Sequence, residues 1–117
     1  MGTFSVDVEI GDPEGREFVV VNALVDTGAT YTALPESLLQ GLGVLPRTSR
    51  RFRLADGRVM RLPLGATVMR LAEEEMPVPV IFAPEDASPL LGATALEAFS
   101  LMADPNEGRL VPVDALL

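Results

Sequence analysis

The chain has no cysteine, no histidine and no lysine; all nine basic residues are arginine. Without cysteine there are no disulfides, thiolate metal ligands or thiol nucleophiles. Without histidine there is no Ser-His-Asp triad, imidazole base or His-ligated zinc. Without lysine there is no Schiff base and no phosphate-binding Walker lysine. An enzyme built from what remains does its acid–base work with Asp, Glu and a single Tyr. Long apolar runs are also missing. Phe18 to Val25, the longest such run near the start, contains Asn22 and is far too short to span a bilayer. Residues 1–5 lack the basic-then-apolar pattern of a targeting leader. A cytoplasmic location is therefore expected, with no membrane partner.

What is present is acidic: 17 Asp and Glu against nine Arg, a net charge of -8. Binders of nucleic acid carry a basic surface, so no nucleic-acid partner is expected. One local exception, Arg47, Arg50, Arg51 and Arg53, reads as a solvated loop and strand edge. With 117 residues the expectation is one domain, 1–117, large enough to bury a core.

Strict alternation of Phe4, Val6, Val8 and Ile10 with polar residues predicts a half-buried strand. A turn at Gly11 to Gly15 leads into a second strand, Glu17 to Val25, expected to be buried on both faces near Val19 to Val21. A short strand to Leu34 and one or two helical turns from Pro35 to Gly41 follow. Arg51 to Leu64 reads as a hairpin about a two-residue Asp56-Gly57 turn. Strands are expected at Ala66 to Ala72 and Val78 to Phe82, around a solvated turn at Glu73 to Glu75; Pro77 and Pro79 push the start of the second toward a sheet edge. Thr94 and Glu97 fit a capping box that starts a short helix. A last strand pair covers Leu101 to Ala103 and Leu110 to Val113. Short strands with regular turn signals predict an all-β barrel or sandwich with one or two small helices.

Asp26 is the anomaly. It follows Ala23-Leu24-Val25 directly, where a carboxylate needs hydrogen bonds or a proton to be tolerated. Two readings stand side by side: an Asp that caps its own turn in Asp26-Thr27-Gly28, or a reactive carboxyl group.

Ala23 to Thr30 resembles the active-site motif of retropepsin-like aspartic proteases, in which apolar residues precede Asp-Thr/Ser-Gly-Ala/Ser. The order of the other parts matches as well. A hairpin lies about thirty residues downstream, where the family has its flap, and Leu90-Leu91-Gly92 with a short helix matches the family's apolar-apolar-Gly motif. The resemblance runs from about Thr3 to Val113 and fits one lobe, not two fused ones. It implies a closed retropepsin-like β-barrel, and an aspartic endopeptidase needing neither metal nor cofactor. That chemistry needs two such Asp residues and the chain holds one motif. The resemblance therefore implies a homodimer with Asp26 of each copy on the two-fold axis, acting on a polypeptide bound in extended form.

By matching position, Thr27 is expected to bond across the dimer and Gly28 to let substrate backbone approach. Ala29 and Thr30 border the substrate, Asp56, Gly57 and Arg58 form the flap tip, and Ser88 and Leu90 wall the pocket beside the cleaved bond. Leu91 and Gly92 support the Asp loop from behind. Departures from viral relatives point to a bacterial or cellular type. The tip is Ala55-Asp56-Gly57-Arg58 rather than Gly-rich, the 41–49 loop is longer, and Ala93 stands where viral enzymes have an Arg that makes a dimer contact. Leu101 to Val113 is the expected substitute for that contact. The alternative is a non-catalytic, dimeric peptide-binding module on the same fold.

Overall fold

The computed structural model describes residues 3–54 and 56–117; Met1, Gly2 and Ala55 of the expected flap tip lie outside the described residues. Strands β1 (Ser5–Gly11) and β2 (Phe18–Val25) form the first hairpin. β3 (Thr32–Pro35) leads into helix α1 (Glu36–Gly41). β4 (Thr48–Arg53), β5 (Val59–Leu71) and β6 (Glu74–Ala83) form a meander. β7 (Leu90–Leu91), helix α2 (Ala93–Ala98), β8 (Leu101–Asp104) and β9 (Arg109–Pro112) complete the chain. Among the described residues, seven strands make one sheet in the order β1-β2-β7-β3-β6-β5-β4, and β8 and β9 make a second. β1 also pairs with β5 through Glu9–Arg70 and Ile10–Met69, so the strand order returns on itself. The architecture is the expected mostly-β one with two short helices. No described helix is long and apolar enough to cross a membrane.

The period-two pattern of β1 places Val8 and Ile10 in the core, where they meet Met69 of β5, Val80 of β6 and Leu91 of β7. Leu39 of α1 and Leu96 of α2 cover the same cluster. On the outer surface Arg70 stacks on the Phe18 ring at 3.6 Å and pairs with Glu9 and Glu75.

Three local expectations fail, each for a physical reason. Val19 and Val20 are exposed, at 36% and 67%. β7 pairs with β2 only at Leu24 and Val25, so among the described residues the start of β2 pairs with β1 alone. The edge expected at the start of β6 is found: at Pro77 and Pro79 the strand has β5 on one side only, although further along it lies inside the sheet. Both prolines pair with β5 before β3 begins to pair at Val80, so their missing N–H groups leave no bond unmade. The N-cap of α2 is Gly92, not Thr94, and Glu97 falls late in the helix, so no capping box forms. The β4–β5 turn is longer than the two residues Asp56-Gly57: the Leu54 N–H bonds the Arg58 carbonyl, and Gly57 takes φ +88°.

The β5–β6 connection is also tighter than the acidic run suggested. Leu71 pairs with Glu74, leaving Ala72 and Glu73 as the turn, at φ 54° and 66°. Two left-handed residues form the mirror-image turn that suits twisted strands, yet neither is Gly or Asn. Glu73→Gly is expected to stabilise the protein by about 1 kcal/mol, read as a higher urea midpoint. An unchanged or lower midpoint would contradict this.

Candidate active site

The Asp26 loop is held almost entirely by backbone. Val25 is buried at the end of β2, and Asp26 is half-buried just beyond it. The Asp26 N–H donates to the Leu91 carbonyl at 3.0 Å, and the Leu24 N–H to the Pro89 carbonyl at 3.0 Å. The loop then turns on itself. The Ala29 N–H reaches the Asp26 carbonyl at 3.2 Å, and the Gly28 N–H reaches Asp26 Oδ1 at 3.0 Å. Asp26 thus does cap its own turn, with one carboxylate oxygen. Its Oδ2 has no hydrogen-bond partner among the described residues. The Thr27 hydroxyl is exposed and likewise bonds no other described residue.

Helix α2 clamps the far side of the loop. Its first N–H groups have no partner inside the helix. Ala93 donates to the Ala29 carbonyl at 2.8 Å, and Thr94 to the Thr30 carbonyl at 2.9 Å. The approach leaves no room at Gly92. A Cβ there would lie 2.5 Å from both the carbonyl carbon and oxygen of Tyr31, and 3.0 Å from the Ala29 oxygen. The Gly92 N–H donates to Thr32 Oγ1 at 3.1 Å, and Thr32 is 1% exposed. Thr32 escaped sequence reasoning, although a lone hydroxyl before the apolar Ala33-Leu34 pair is a detectable sign of a buried polar anchor. Gly92→Ala forces the loop and helix apart. Its expected cost is at least about 3 kcal/mol, seen as a large drop in melting temperature; a near-native value would contradict this packing.

The β4–β5 hairpin is tied to the same loop. Tyr31, immediately after Thr30, meets Phe52 of β4 edge-on, ring centres 6.3 Å apart. At the hairpin tip Asp56 accepts the Arg58 N–H at 2.9 Å and its Nε at 2.6 Å. The pair is exposed and adds little stability. Below the tip a groove of about 590 Å³ runs between the hairpin and the loop after β6. Leu54, Arg58, Met60 and Leu62 line one side, Pro84 and Asp86 the other. Of the residues chosen from sequence, Arg58 lines this groove. Asp56 and Gly57 stand at the tip, outside it, and Ser88 and Leu90 do not line it. Leu90 lies in β7 between Leu24 and Ala33. Neither this groove nor a second one, of about 580 Å³, is lined by a residue of the Asp loop.

The loop that walls the first groove is pinned by Glu85. Glu85 Oε2 accepts the Ser37 N–H at 2.8 Å, and Oε1 accepts the Ser37 hydroxyl at 2.6 Å. Pro35, the N-cap of α1, gives no side-chain cap, so Glu85 serves the helix from 48 residues away. The Ser37 hydroxyl, then the Ser37 N–H, hold the Glu85 carboxyl below its usual range, against a smaller opposing effect of desolvation. A depressed carboxylate stabilises the fold above its unfolded value and loses that contribution as pH falls through the folded one. Ser37→Ala is therefore expected to lower the melting temperature at pH 7, with the difference closing below about pH 4. A gap that persists or widens in acid would contradict the clamp.

A mostly-β chain with an Asp-Thr-Gly loop backed by an apolar-apolar-Gly strand and short helix defines the retropepsin-like class of aspartic protease. The chain belongs to the family described as "gag-polyprotein putative aspartyl protease", whose model matches residues 14–98. Its fold is similar to the solution structure of simian foamy virus (mac) protease, with a TM-score of 0.58 and 20% identity over 81% of this chain and 93% of that one. No curated protein matches it in sequence.

Proposed function

We propose that the chain is a homodimeric aspartic endopeptidase, with Asp26 of each copy in one shared dyad. The observation that carries this reading is the Asp26 loop itself. It is a rigidly anchored carboxylate with one oxygen committed to its own turn and the other unpartnered within the described chain. Asp7, Asp12, Asp56, Asp86, Asp104 and Asp114 lack the Thr-Gly context, so the second carboxylate comes from a second copy.

Two carboxylates held close share one proton. The ionised one takes a proton from a water lodged between them, and the water oxygen attacks the scissile carbonyl carbon. The protonated one donates to the carbonyl oxygen as it gains charge. In the resulting gem-diol the base returns a proton to the amide nitrogen. As the C–N bond breaks, the other carboxylate takes back a hydroxyl proton of the gem-diol, leaving a carboxylic acid, an amine and a dyad that again shares one proton. No cofactor or metal enters any step.

Thr27, exposed and without a hydrogen-bond partner among the described residues, bonds the opposite loop and holds the carboxyl groups level. Gly28, Ala29 and Thr30 contact substrate backbone. Asp56, Gly57 and Arg58 close over it as the flap tip and exclude water. Ser88 and Leu90 bound the cleft near the cleaved bond. The β8–β9 hairpin forms its own two-stranded sheet and exposes Met102 and Val113, which supports it as the dimer contact that replaces the Arg absent at position 93.

Wild type and Asp26→Asn, each offered a mixed library of extended peptides, give the direct comparison. The variant is expected to lose about 10³-fold or more of the cleavage rate. The wild-type rate should be bell-shaped in pH, falling when both carboxyls are protonated and again when both are ionised. Equal cleavage by the two proteins would refute the reading.

A further inference from the structure

Positive charge is concentrated in one place. Six of the nine arginines (Arg47, Arg50, Arg51, Arg53, Arg58 and Arg61) fall in residues 47–61, with Asp56 as the single acid there. That stretch carries +5. The remaining residues hold three arginines against sixteen acids, a charge of -13. All six arginines are exposed, and the stretch is the β4–β5 hairpin with the approach to it.

The strand register gathers the charge on one face. Arg51 lies directly opposite Arg61, and Arg53 opposite Val59, so the three arginines share a face. The other face carries Phe52, Met60 and Leu62, all half-buried, and Phe52 packs on Tyr31. The arginine face therefore points away from the rest of the chain. Like charges placed directly opposite on neighbouring strands are destabilising. Charges on an edge strand guard against strand addition, which would account for arginines on β4. It does not account for Arg61 on the facing strand. Of the six, Arg58 alone has an ion-pair partner among the described residues; Arg61 bonds Ser49 Oγ at 3.0 Å and Arg50 the Ser49 carbonyl.

We propose that this arginine face docks an acidic segment of the polypeptide substrate. The proposal rests on the endopeptidase reading and adds a substrate class to it. The face adjoins the 590 Å³ groove, because Val59, the cross-strand partner of Arg53, lines that groove. A peptide leaving the groove over Val59 meets Arg53 first, then Arg51 and Arg61 about 7 Å further along the strands. Side chains on one side of an extended peptide recur every second residue, the spacing of Arg53 and Arg51. Acidic residues at alternate positions would each meet a guanidinium, whose planar fork suits a carboxylate. A nucleic acid fits less well: its long run of phosphates would extend past the patch onto a body of charge -13.

The test is binding, measured by fluorescence anisotropy on Asp26→Asn so that turnover does not intrude. Two labelled peptides share one apolar core and differ in flanks of alternating Glu or alternating Gln, on either side of the core. The Glu-flanked peptide is expected to bind about tenfold more tightly at low salt, and to lose that advantage near 0.5 M salt. The advantage should vanish in the added double variant Arg51→Gln/Arg61→Gln and survive in Arg51→Lys/Arg61→Lys. Equal affinity for the two peptides overturns the proposal. So does tighter binding of a thymidine oligonucleotide of equal charge, or a salt-sensitive self-association that needs Arg51 and Arg61. Cleavage by wild type without a Glu advantage sinks the docking face alone. A Glu advantage without any wild-type cleavage sinks the peptidase reading and leaves the docking face.

Discussion

The contact on which the rest depends is the backbone junction between the Asp26 loop and the start of α2. The loop has carbonyls to place at Ala29 and Thr30, and the helix has N–H groups to satisfy at Ala93 and Thr94. Each end completes the other, and the approach is close enough that only glycine fits at position 92. A reactive carboxyl group is useful only where its position is fixed to a fraction of an ångström. Here the fixing comes from main-chain bonds on both sides: Leu91 to Asp26 before the turn, and Ala29 and Thr30 to the helix after it. Buried Thr32 closes the junction from beneath by accepting the Gly92 N–H.

That junction also explains the topology around it. β7 is two residues long, yet it pairs with β2 on one side and β3 on the other. Its work is to bring Leu90-Leu91-Gly92 between the strand that leads into the Asp loop and the strand that leaves it. The β4–β5 hairpin is joined to this centre through Phe52 and Tyr31. The groove wall opposite is joined to α1 through Glu85 and Ser37. Two separate segments around the groove are thus tied to the stretch from Tyr31 to Ser37 that follows the Asp26 loop.

Much of this was legible in the residues. The alternation in β1, the turn at Gly11 to Gly15, the Asp-Thr-Gly loop and the Leu-Leu-Gly motif all announce themselves, because each depends on local spacing or on a residue with special backbone chemistry. What escaped depends on partners distant in sequence. The exposure of Val19 and Val20 follows from how short β7 is, which no apolar run encodes. The cap of α1 comes from Glu85, and the partners of the first N–H groups of α2 are loop carbonyls that a side-chain capping rule does not foresee. The groove lining contributed by Pro84 and Asp86 had no signal beyond a loop-like composition.

The central claim is that one active site is assembled from two copies of Asp26. Mixing wild type with Asp26→Asn at fixed total protein, with time for subunits to exchange, tests it directly. A shared dyad predicts that peptide cleavage falls as the square of the wild-type fraction, since only dimers with two carboxyl groups act. Cleavage that falls in simple proportion would mean that each chain works alone, and would contradict the dyad.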